Sequence, residues 1–258
     1  VAFTVTATAG GTASVQGTDL FVRVLTGGVE NGGASGALAG GASTPPDVSV
    51  TPNFSSSLIL AACLVEGSQT ALTPASNNTF DVNAADSTNN YDYGMCRYTG
   101  TVTGGVAVTV GATAPSGPTV SGFCAAYEVH GTPVVDASSP AVVAAPTATT
   151  AQTASFNPPP GSVLVALVTQ NGLSNSGTLT MAVSGGGLVW TQRAKSTDAA
   201  ADGAAWAFTA TMPPAAPSFQ QPARARQPLP RRGRAAGNPG GPVNNPAPVP
   251  VSGRIPNV

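Results

Sequence analysis

The chain has 258 residues, of which only 8% are charged, and a formal net charge of −1 at pH 7. Roughly 25% charge is usual in a soluble domain, and the small residues that dominate here favour short strands and tight turns over surface helices. No run approaches the roughly 20 apolar residues that a spanning helix needs, and the opening VAFTVTATAGG has no basic region followed by an apolar core. Neither membrane insertion nor a secretory signal is expected, and the chain is expected to be soluble.

The near-zero charge conceals an asymmetry. Residues 1–211 carry Arg23, Arg97, Arg193 and Lys195 against all eleven acidic groups, a net −7, whereas residues 212–258 carry six arginines and no acid.

In chain order, Phe3, Val5 and Ala7 alternate with threonines, the period-two pattern of a half-buried strand, and a second strand is predicted over Asp19 to Leu25. Gly27 to Gly41 reads as a glycine-rich loop and Val48 to Val50 as a short strand. Ser57 to Val65 is apolar on both faces, so something must cover each face. Phe80 with Val82, Cys96 with Tyr98, Val106 to Val110, and Phe123 to Val129 alternate in turn, separated by Asn, Asp, Gly and Pro. About eight strands suit a two-sheet sandwich of jelly-roll or immunoglobulin-like type.

Residues 131–160 read as an Ala/Thr/Pro-rich connector, stiffened at Pro158, Pro159 and Pro160. Ser57 to Gly67 (SLILAACLVEG) then recurs as Ser162 to Gly172 (SVLVALVTQNG), 105 positions on. Strands at Val163 to Val168, Leu179 to Val183 and Leu188 to Ala194 follow, and Trp206 with Phe208 takes the place of Cys96 with Tyr98. An all-β protein of two tandem β-sandwiches is therefore expected, the first over 1–130 and a shorter second over 161–211. That second repeat lacks counterparts of Val106 to Val110 and Phe123 to Val129, so another chain or the neighbouring unit is expected to complete it.

Residues 212–258 hold twelve of the 24 prolines and the arginines Arg224, Arg226, Arg231, Arg232, Arg234 and Arg254. Free in solution such a segment cannot bury enough surface to fold. It is expected to be an extended assembly tail, ordered against an acidic protein surface; binding to nucleic acid is not expected, since no aromatic residues interleave with the arginines.

Candidate chemistry is sparse. His130 shares a strand face with Cys124, Ala126 and Glu128, but Cys124 and His130 are roughly 20 Å apart along an extended strand, and no third orienting group is evident. Cys63, Cys96 and Cys124 read as buried thiols used as small apolar side chains, with a disulfide or metal site as the other reading. The run from Asp86 to Gly94 has oxygen ligands that suit calcium but not the spacing of an EF-hand, and reads as a hairpin turn. Asn53 and Asn77 begin glycosylation-type triplets. Trp190, Trp206 and Phe208 read as core rather than as a sugar-stacking platform. No catalytic, cofactor-binding or metal-binding residue is assigned, and an enzyme is not expected.

The runs TVTATAGGT, LFVRVLTGG, NNYDYGMCRYTG, PPPGSVLVALV and GGGLVWTQRAKST together resemble actinobacterial phage and prophage virion proteins with β-sandwich repeats. The resemblance implies a non-enzymatic minor tail or capsid-decorating protein, partnered by other virion proteins and by its own copies, and located in the virion. A secreted or surface-displayed adhesion module that binds glycans is the alternative.

Overall fold

The computed structural model describes residues 1–216 apart from 39–40, 43–44, 68–70, 114–120, 146, 173–176 and 198–202. The six arginines of the expected assembly tail lie outside the described residues. Among the described residues the chain is all-β, with seventeen strands and no helix. The first eleven are β1 (Val5–Gly11), β2 (Val15–Val29), β3 (Ser35–Ala37), β4 (Gly41–Ala42), β5 (Asp47–Val50), β6 (Leu58–Glu66), β7 (Thr73–Pro74), β8 (Asn78–Asp86), β9 (Tyr91–Tyr98), β10 (Val108–Thr113) and β11 (Ser121–Val135). They are followed by β12 (Val143–Ala145), β13 (Thr150–Gln152), β14 (Val163–Gly172), β15 (Leu179–Gly185), β16 (Thr191–Thr197) and β17 (Gly203–Thr211).

A long sheet runs β16-β17-β14-β2-β11-β6-β9-β8, with β12 added to β2 and with β3 and β4 added to β11. Two three-stranded sheets, β13-β1-β15 and β5-β10-β7, complete the fold. The long path is a palindrome of equivalent strands about the β2/β11 junction. Leu58 faces Val129 where Val163 faces Leu25, and Cys63 faces Gly94 where Val168 faces Trp206. Even the irregularities repeat: β8 bulges between Phe80 and Val82, β16 between Gln192 and Ala194.

This pairing shows where the missing strands of the second repeat are. β10 and β11 close the first half; β1 and β2, from the other end of the chain, occupy the corresponding places in the second. β1 pairs with β13 and β15 as β10 pairs with β5 and β7, and β2 pairs with β14 as β11 pairs with β6. The repeat is thus completed from within the chain, by segments that the local pattern assigns to the first unit.

The expected boundaries at 130 and 160 are not breaks in the hydrogen-bonded network. β11 continues to Val135 and pairs with the end of β2, with a bulge between Gly131 and Val134. The expected connector contributes β12, which pairs with β2, and β13, which pairs with β1. Likewise the expected loop after β2 contributes β3 and β4, both on β11. At the crossing, Gly27 and Gly131 hold φ of 69° and 96°. A Cβ on Gly131 would lie 2.7 Å from the Gly27 carbonyl oxygen, so glycine permits both the left-handed backbone and the close approach.

Three cores follow from period two. Outward-facing Leu20, Val22 and Val24 of β2 and Leu164, Ala166 and Val168 of β14 pack beneath β13-β1-β15. Ile59, Ala61, Cys63 and Val65 of β6 pack beneath β5-β10-β7. The opposite faces, including Phe21, Leu60, Leu64, Phe123, Tyr127 and Leu167, form a central core between the two halves. The doubly apolar strands β6 and β14 are therefore covered by a small sheet on one side and by the other half of the molecule on the other. Each fully buried large apolar side chain contributes about 1.5–3 kcal/mol, so this central layer is a main source of cohesion.

Candidate functional site

The most distinctive polar site lies where the halves meet. Asp19 sits on β2 beside Thr18 and before Leu20, at a position where period two directs side chains into the central core with Phe21 and Leu25. It is fully buried, opposite Thr169 of β14 on one side and Ala144 of β12 on the other. Its Oδ2 accepts from the Thr169 hydroxyl at 3.1 Å and from the Tyr91 hydroxyl at 3.3 Å, the latter reaching across from β9. Burial pushes the Asp19 carboxyl up to about 7; bonds from the Thr169 and Tyr91 hydroxyls and from the Ala145 backbone oppose that rise, and the nearby Asp86 carboxylate adds to it. Burial and the neighbouring Asp19 and Asp86 likewise push the Tyr91 phenol far up, and Tyr93 to about 12.

A cleft of about 220 Å³ adjoins this site, lined by Ala85, Asp86, Ser87, Tyr91, Tyr93 and Ala144. Asp86 ends β8 and closes the hairpin to β9: its Oδ1 accepts from the backbone N–H of Thr88 at 2.8 Å and of Asn89 at 3.2 Å, and Oδ2 from Asn89 Nδ2 at 3.0 Å. The oxygen-rich run from Asp86 to Gly94 is thus a hairpin turn followed by a strand. Asn171 Nδ2 ties that turn to β14, donating to the Asn89 carbonyl at 3.3 Å and to Gln16 Oε1 at 3.0 Å. Chemically, the site is a buried carboxyl whose ionisation is opposed by burial, with two hydroxyl donors on its Oδ2.

Three other acidic side chains, Glu128, Glu30 and Asp81, act as ties. Glu128 is fully buried; Oε2 accepts from the N–H of Ala34 (2.7 Å) and Asn53 (2.8 Å), and Oε1 from the Phe54 N–H (3.0 Å) and the Ser57 hydroxyl (2.6 Å). Burial opposes its ionisation, but these four donors outweigh it and hold the carboxyl below its ordinary range. Glu30 accepts from Arg193 at 2.7 Å, from Thr209 at 2.6 Å and from Thr211, and its carboxyl is also held low, the donors overcoming burial. Asp81 bridges Arg23 at 3.0 Å and Arg97 at 3.5 Å. Asp81 and Arg193 are the equivalent bulged residues of the two halves, so the same position is used for ion pairs of opposite polarity.

The sequence-derived candidates are dispersed. His130 stacks on Phe54 at a centroid separation of 3.9 Å, with Nε2 2.6 Å from the Asn31 carbonyl, while Cys124 lies in the core beneath β10. Glu128, the other group on that strand face, is saturated by its four donors. Trp206 is fully buried in the outer core of the second half, as core packing requires, and Trp190 is partly buried just before β16. By register Trp206 corresponds to Gly94 and Phe208 to Cys96, two residues along from the expected match. Asn53 and Asn77 are exposed. The three cysteines are free, buried thiols. Among the described residues no group of three or more His, Cys, Asp or Glu side chains is placed to hold a metal ion, and no helix is long and apolar enough to cross a membrane.

Nothing local in the sequence marks the Asp19 site. The available signal is an acidic residue in phase with the inward-facing Phe21 and Leu25. No family model, curated protein or solved structure matches the chain.

Proposed function

We propose that the chain is a non-enzymatic structural or accessory protein of a phage particle, a minor tail or capsid-decorating component. In this reading each half, a three-stranded sheet packed on half of the long sheet, is a β-sandwich unit, and the basic tail joins the protein to other virion proteins or to further copies. The observation that carries the reading is the use of the carboxylates as ties. Glu128 gathers three loop amides and a hydroxyl, Glu30, just past the end of β2, binds Arg193 of β16 and Thr209 of β17, and Asp81 joins β8 to Arg23 and Arg97. Such an arrangement suits a rigid scaffold better than a reacting centre. The bulges in β8 and β16, each bearing a charged residue, twist the two outer edges and restrict open-ended strand pairing. Contacts to neighbours are then confined to chosen segments rather than propagated along the sheet.

Mass spectrometry of gradient-purified particles from cells carrying the gene tests this proposal. Recovery of the chain in stoichiometric amount with the particles is expected; its absence from them overturns the reading. A glycan-binding adhesion module is the second reading, favoured by the cleft beside Tyr91, Tyr93 and Asp86. Saturable binding on a glycan array, lost in Tyr93→Ala, would favour it over the first.

A further inference from the structure

All three cysteines of the chain meet at one point of one half. Cys63 of β6 stands directly opposite Cys124 of β11, with Sγ atoms 2.9 Å apart, well inside the contact distance of two non-bonded sulfurs. Cys96 of β9 lies 4.0 Å from Cys63 by Sγ. The equivalent positions of the second half hold Val168, Leu20 and Phe208, so the thiols stand where the fold otherwise places large apolar groups.

We propose that Cys63 and Cys124 form a site of oxidative modification, a cross-strand disulfide that locks β6 to β11, with Cys96 remaining a thiol. The register selects the pair. Directly opposed residues of antiparallel strands have Cα atoms about 4.5–5.5 Å apart, within the roughly 4.4–6.8 Å that a disulfide spans. Cys96 faces Ala61, which places it diagonal to Cys63, and diagonal partners are about 7–8 Å apart, beyond that span. Cys96 and Cys124 lie on opposite sides of β6, two strand spacings apart, about 9–10 Å.

The step is thiol–disulfide exchange with a small disulfide oxidant such as oxidised glutathione. One thiolate attacks the oxidant and releases a thiol; the partner thiolate then attacks the mixed disulfide, forming the Cys63–Cys124 bond and releasing a second thiol. Two protons and two electrons leave the protein, and the oxidant becomes two thiols. Burial pushes the Cys63 and Cys124 thiols up and closes them to the oxidant, so the bond forms while the chain folds, before β5-β10-β7 covers this face.

The test folds the full chain from denaturant in a glutathione buffer, quenches it with iodoacetamide in denaturant, and maps the peptides by mass spectrometry. Loss of two of the three reactive thiols is expected, with Cys96 alone alkylated and the Cys63 and Cys124 peptides joined. Cys96→Ala keeps the joined species and Cys63→Ala abolishes it. Three alkylated cysteines in the chain folded under oxidising conditions, or a bridge that includes Cys96, overturns the proposal. The wild-type peptide map decides the matter even if a variant fails to fold.

Discussion

Replacing Glu128 with Gln tests whether a buried carboxylate, rather than apolar packing alone, fixes the loops over the first half. Each oxygen of Glu128 accepts two donors, Phe54 N–H and Ser57 hydroxyl on Oε1, Ala34 N–H and Asn53 N–H on Oε2. Glutamine keeps one acceptor oxygen and, with its NH₂ group in the place of Oε1, can donate to Ser57 Oγ, whose hydroxyl still has the Phe54 carbonyl at 3.0 Å, so the Phe54 N–H is the donor left without an acceptor. A buried donor left unsatisfied costs about 1–3 kcal/mol, so Glu128→Gln should lose about that much. Urea unfolding of the full chain at pH 7 would show this as a lower midpoint at unchanged slope. The pH dependence gives an independent arm. The folded carboxyl is held below its ordinary range, so its contribution is present above the unfolded value of about 4.3 and is lost as pH falls through the folded value. The gap between wild type and variant should therefore narrow on acidification below about pH 4; Glu30, which titrates low as well, is common to both proteins and cancels. A deficit under about 1 kcal/mol at pH 7, or a gap that stays constant down to pH 3, would refute the reasoning.

Asp19 should show the opposite sign. Its folded value of about 7 lies above the ordinary value of 3.8, so the native state binds the extra proton and wild-type stability falls as pH rises between the two. Asp19→Asn carries no such slope, and at about 1.36 kcal/mol per unit it should gain about 4 kcal/mol on wild type between pH 4 and pH 8. Parallel stability curves would sink this assignment. Gly203→Ala probes the contact of the halves: its Cβ would lie 2.5 Å from Leu64 Cδ2 and 2.8 Å from Phe123 Cε2, and overpacking of this kind costs about 1–3 kcal/mol. The loss should shrink when Leu64→Ala is combined with it; a neutral or stabilising Gly203→Ala would argue against close packing there.

Much of the framework is legible in the residues themselves. The apolar run of β6 and its recurrence in β14 announce both the repeat and the double covering, and the alternation of Phe123, Ala125, Tyr127 and Val129 marks a face that does enter the central core. What local pattern cannot carry is the choice of partner. Phe3, Val5 and Ala7 alternate like any half-buried strand, yet β1 pairs with β15, so that Val5 faces Gly185. Nothing within either segment distinguishes that pairing from one with a sequence neighbour. The short strands β3 and β12 are invisible for a related reason: their residues are small and their pairing is dictated by the neighbouring long strand. Asp19 follows the same rule, since its burial depends on Thr169 and Tyr91, which arrive from distant parts of the chain.

The completion of the second half by β1 and β2 has a consequence for the order in which the molecule forms. Strands β5 to β11 lie within residues 47–135 and close their half from contiguous chain, whereas Val5 must find Gly185 and Leu25 must find Val163. Closing such long loops is slower because their entropy is lost before the contacts form. During synthesis β2 is made before β14 and waits for it, with the apolar residues between Leu20 and Leu25 uncovered. In pulse-labelled exchange during refolding, the amides of β6, β9 and β11 should gain protection before those of β2 and β14. The reverse order would mean that β2 and β14 find each other before the segment between them has folded.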